Sequence, residues 1–141
     1  MAAHGSAVLS RIADLLGMRD GAPDVVVDGA VVTAEAQGRA ARFACVLADA
    51  LPGDEAALRR LMHQYLAYAD HGAEVLCADP AGRLVLVAEV LPGDDVPART
   101  AEFCDAAVHW RRVVQAEASG RDRAATWDGL AERGRPIMIF P

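Results

Sequence analysis

A chain of 141 residues is long enough for one ordinary domain with its own core. Its formal charge of −6 opposes binding to nucleic acid or anionic lipid, since both require cationic side chains to neutralise phosphate. The apolar content of 53% is high, but runs such as Leu84 to Ala88 fall far short of the roughly 20 residues of a membrane span, so no membrane insertion is expected.

The first helical periodicity covers about Ser6 to Met18, with Val8, Ile12 and Leu15 or Leu16 on one face and Gly17 as a stop. The stretch Met1 to Ser6 lacks the cationic and then apolar pattern of an export signal, which implies residence in a reducing compartment of synthesis. After Gly21-Ala22-Pro23, the runs Val25-Val26-Val27 and Val31-Val32-Thr33 flank Asp28-Gly29, a dipeptide suited to a two-residue hairpin turn. A turn at Gln37-Gly38 leads into a third strand, Arg39 to Leu47, where Ala41, Phe43, Cys45 and Leu47 alternate with the other face.

Leu51-Pro52-Gly53-Asp54-Glu55 ends that strand, and Asp54 caps a helix over Glu55 to Ala69. Its apolar positions, Leu58, Leu61, Met62, Tyr65, Leu66 and Ala69, exceed the single stripe needed to sit on one sheet, which implies a second partner surface. His71-Gly72 closes the helix. Glu74 to Ala78 and Arg83 to Leu91 then form a hairpin around Asp79-Pro80-Ala81-Gly82.

The junction Leu91-Pro92-Gly93-Asp94-Asp95 repeats the earlier strand-to-helix corner. With Pro97 in the first turn, a last helix carries Phe103, Ala107, Trp110 and Val114 on one face to about Ala118. The expected fold is α+β, in the order helix, three strands, helix, two strands, helix, with a twisted antiparallel sheet packed on helices. The expected domain covers residues 1–118 and is followed by a partly flexible tail, 119–141, that ends on the apolar Pro136-Ile137-Met138-Ile139-Phe140-Pro141.

Residues able to do chemistry are few. Cys45, Cys77 and Cys104 are odd in number and widely spaced, matching neither a disulfide framework nor zinc, so they are expected as buried apolar residues. Asp70-His71, with His63 nearby on the same helix, is the best acid/base candidate, although a histidine at a helix C-terminus is commoner as a partner of the dipole. His109 and Cys104 do not share the i, i+4 face of a metal pair, and Ser6 and Ser10 lack a nucleophile elbow. The glycines sit in turns, and all 14 basic residues are arginine, so there is no phosphate-binding lysine. Arg111-Arg112 fits a solvated face paired with nearby acids. No catalytic residue, metal or cofactor is expected.

Leu15-Leu16-Gly17 ends the first helix, the hairpin from Gly72 to Leu86 leads to Leu91-Pro92, and the last helix carries Phe103, Ala106, Ala107 and Trp110-Arg111. In this order they resemble the class I type III secretion chaperones of the Tir-chaperone type. The tail after Ala118 is longer than is usual in that family, and the second helix has Tyr and His where many members are aliphatic.

The resemblance implies a non-enzymatic, cytoplasmic bacterial homodimer that serves virulence. It would bind the extended N-terminal chaperone-binding segment of a secreted effector and keep it soluble and secretion-competent. Leu58, Leu61, Met62 and Tyr65 are then the expected dimer contact, although all four also fit the protomer core. Leu9, Leu16, Val32 and Val46 are the expected effector contacts, with burial the competing role for each. The alternative is a small α+β enzyme or ligand-binding domain of the cone-shaped kind that uses the Asp70/His71 region. A regulatory adaptor on the same scaffold differs from the chaperone only in its partner.

Overall fold

The computed structural model of the chain describes residues 2–18, 24–69 and 73–131, with side chains described for 7–18, 24–68 and 73–119. Its elements follow the order α1 (Ala2–Leu16), β1 (Asp24–Val27), β2 (Ala30–Gln37), β3 (Ala40–Ala48), α2 (Glu55–Ala69), β4 (Val75–Ala78), β5 (Leu84–Val90) and α3 (Val96–Ala131). Among the described residues five strands form one antiparallel sheet ordered β1-β2-β3-β5-β4, with β1 and β4 as its edges. This is the α+β arrangement expected from the periodicities.

The turns follow from local chemistry. Val27 pairs with Ala30, leaving a two-residue loop in which Asp28 has φ 46° and Gly29 φ 81°, the left-handed pair of a type I′ hairpin. A Cβ on Gly29 would lie 2.6 Å from Arg111 Nη1, because α3 lays that guanidinium over the turn. Gly29→Ala should therefore cost about 1–3 kcal/mol, from the left-handed backbone together with displacement of Arg111, measured as a drop in the denaturation midpoint. The second turn lies one residue later than Gln37-Gly38, since Gln37 still pairs with Ala40 and Gly38, at φ 57°, takes the first central position.

The two Leu-Pro-Gly-Asp corners reach their helices by different hydrogen bonds. In the first, the Ala56 amide donates to Asp54 Oδ1 at 3.0 Å, so Asp54 caps α2. In the second, the Leu91 amide donates to Asp94 Oδ2 at 2.9 Å and closes the turn, while the Ala98 amide donates to Asp95 Oδ1 at 3.1 Å. Asp95, standing where the first corner has Glu55, therefore takes the cap of α3 one residue on.

Alternation along the strands places the core. Val32, Ala34, Phe43, Cys45, Leu86, Ala88 and Val90 share one sheet face, covered by Val8 and Ile12 of α1 and by Phe103, Ala106, Ala107 and Trp110 of α3. Phe43 and Phe103 stack with ring centroids 4.8 Å apart. Helix α2 packs on α3: Tyr65 and Tyr68 lie 5.9 and 5.7 Å from Trp110, and Arg60 pairs with Glu117 at 3.2 Å.

The last helix departs from expectation by running past Ala118 to Ala131. Gly120 and Gly129 cost only about 1 kcal/mol each in a helix, and the Ala and Arg residues around them are good helix formers, so nothing in this stretch forces a stop. No helix among the described residues is long and apolar enough to cross a membrane.

Candidate functional site: exposed apolar surface on the sheet and on helix α2

Among the described residues two apolar surfaces are left exposed. The first is the sheet face opposite α1 and α3. Register aligns Asp24, Thr33, Ala44, Val87 and Val75 in one row across the sheet and Val46, Val85 and Cys77 in another, with Val26 opposite Val31 on the same face; of these Val85 is buried. Val26 is 65% exposed, and Val31, Val46 and Val75 are also exposed. At one end of this face Arg42 stands between Glu35 and Glu89 in register, and a groove of about 480 Å3 runs past Arg42, Val75, Val87, Leu91 and Arg99. Arg99 donates to the Glu89 carbonyl at 3.1 Å and faces Asp94 and Glu102, so its charge is already balanced by its neighbours.

The second surface is the outer side of α2. Leu61, Tyr65 and Tyr68 belong to the side that meets α3, whereas Leu58, Met62 and Leu66 recur every four residues on another stripe. Met62 is 44% and Leu66 63% exposed, with Leu58 half-buried. The excess of apolar girth noted in the sequence is thus real surface.

The expected contact residues divide accordingly. Leu61, at 2% exposure, is a core residue, because its position in the helical repeat faces the protomer interior; no partner reaches it without unfolding the chain. Tyr65 is half-buried, donating its hydroxyl to the Glu74 carbonyl at 3.3 Å, while Met62 is available and Leu58 partly so.

Among Leu9, Leu16, Val32 and Val46, only Val46 lies on the exposed sheet face. Val32 is fully buried, since its pairing with Cys45 puts it on the core side; it cannot touch an effector in this protomer. Leu9 and Leu16 are half-buried on α1, which covers the opposite face from Val46, so these four do not form one surface. Val26 and Leu66 were the residues missed. Val26 was legible as the odd member of a three-valine run whose neighbours face inward, and Leu66 as the residue four beyond Met62.

The titratable groups do not converge. Burial pushes the Cys45 thiol up, opposed by the Arg111 guanidinium, and burial also raises Cys104, with the Asp105 carboxylate adding to it. Raised thiols stay protonated and are poor nucleophiles. Asp79 is held below the ordinary carboxylate range because the Arg83 amide donates to it at 2.8 Å, with the Arg83 side chain adding to the effect at 2.6 Å; this closes the β4–β5 turn. His109 stacks on Tyr68 with ring centroids 5.0 Å apart. Asp70 and His71 lie outside the described residues. Among the described residues no three His, Cys, Asp or Glu side chains are grouped to hold a metal. No protein-family model matches the sequence, and comparison with curated proteins finds no match.

Proposed function

We propose that this protein is a homodimeric, cytoplasmic chaperone that holds the extended N-terminal segment of a type III secretion effector. The reading rests on the uncovered apolar surface: an exposed valine-rich sheet face beside edge strand β1, together with a separate stripe on α2. One stripe suffices for pairing two copies and leaves the sheet free for cargo. An extended peptide adds to a sheet edge through its backbone while alternate side chains reach the sheet face. Strand β1 suits this role, since among the described residues its only strand neighbour is β2 and it carries Val25-Val26-Val27 without a lysine or proline to deter pairing. The other edge is less free, because Tyr65 of α2 bonds the carbonyl of Glu74 beside β4.

The acidic charge and the likeness to secretion chaperones, carried by Leu15-Leu16-Gly17, the Gly72 to Leu86 hairpin and the last helix, narrow the partner to a secreted polypeptide. Ordering an unfolded segment costs free energy, so cargo must contact a large surface. The test is hydrogen exchange on the protein mixed with the N-terminal segment of a candidate effector. Slower exchange across Asp24 to Val27 and across the sheet residues near Val46 is expected. Binding that leaves these amides unchanged and protects only the Asp70/His71 region would overturn the reading.

A further inference from the structure

The geometry points to a second occupant of the β1 edge: the segment Ile137-Met138-Ile139-Phe140 of another copy of this chain. The inference rests on the reading of β1 as an acceptor edge, and not on the identity of any effector.

Three observations select this occupant. The first is length. Strand β1 has four residues, Asp24 to Val27, and the segment offers four apolar residues between Pro136 and Pro141. Proline has no amide to donate, so an added strand would be delimited at both ends.

The second is charge. Asp24 and Asp28 bracket the three valines of β1, while Arg133 and Arg135 precede the apolar segment. In either strand direction one of these arginines would lie near an aspartate, and opposite charges favour such cross-strand neighbours.

The third is reach, which decides between the same copy and another. Arg111 lies against Gly29, at the tip of the β1–β2 hairpin, and α3 continues from there to Ala131. Those ~20 residues carry the helix ~30 Å beyond the hairpin at 1.5 Å per residue. Turning back from Ala131, a fully extended chain brings Ile137 only ~20 Å closer and Phe140 ~30 Å. Phe140 alone would touch its own hairpin, and Ile137 would stop roughly 10 Å short, so the four residues cannot pair with their own β1. A second copy has no such restriction. If each of two copies lends its segment to the other, the exchange is self-complementary and closes as a dimer. Such a plug would guard a valine-rich edge that is otherwise open to indiscriminate pairing, and cargo would have to displace it.

The test uses the full chain and two variants, Val26→Arg, which spoils the acceptor edge at an exposed position, and Ile139→Asp, which spoils the segment. Sedimentation equilibrium should show each variant self-associating more weakly than the original by roughly tenfold or more, the scale on which a linked second contact acts. An equimolar mixture retains one intact segment facing one intact edge, so the mixed pair should associate more tightly than either variant with itself. Equal affinities for the original, both variants and the mixture would overturn the inference. Variants weakened alike, with no recovery on mixing, would also overturn it, because the segment would then act within its own copy or not at β1. In both cases effector protection of β1 could persist, so the chaperone reading is judged separately.

Discussion

Replacing Trp110 by alanine is expected to lower folding stability by about 3–5 kcal/mol, the usual cost of truncating a buried large aromatic. Trp110 is 1% exposed and is the residue where three parts of the fold meet. It is part of the core beneath the sheet, Tyr65 and Tyr68 of α2 pack on it, and the His109 ring lies edge-on at 5.3 Å. A domain of this size is stable by about 5–15 kcal/mol, so the loss would take a large share and loosen α2 in particular. Urea denaturation should show a much lower midpoint. Trp110→Phe, which refills part of the volume, should recover a portion of it. An unchanged midpoint for Trp110→Ala would mean that α2 and α3 are not joined in this way.

The second large effect is on pairing. Met62→Asp combined with Leu66→Asp should weaken the proposed dimer by at least about 100-fold, since each carboxylate would be buried in that contact without a partner at a cost of several kcal/mol. Both side chains are exposed in the protomer, so the folded monomer should keep its melting temperature. Leu61→Asp is the contrasting control. Its charge enters the core, so it should unfold the chain rather than split a dimer of folded chains. A double variant that remains fully paired would remove α2 from the interface.

Most of the fold was legible because the apolar pattern changes period where the structure changes type. The alternation Ala41, Phe43, Cys45, Leu47 placed the core face of β3, and Asp54 placed the start of α2, whose span Glu55–Ala69 agrees with the sequence reading. Asp28-Gly29 specified its own hairpin through the positive φ that both residues tolerate.

The surface was harder to read. Val26 and Val32 are both valines in strands, and only the pairing Val25↔Val32 and Val26↔Val31 shows that one is exposed and the other buried. Register is a property of two strands, and one residue of slip exchanges the faces. Leu61 and Met62 are adjacent apolar residues in a helix, and which one faces the core depends on how α2 is turned towards α3, where Tyr65 and Tyr68 meet Trp110. The end of α3 was missed for another reason. Gly120 and the charged residues around it look like a linker in sequence, yet none of them forbids helix.

Pairing of two chains is the claim that the proposed function and the exchanged segment share. Light scattering on the purified protein across the micromolar range measures it directly. The expected mass is twice the 14.9 kDa of one chain. A constant mass of 14.9 kDa throughout that range would contradict it.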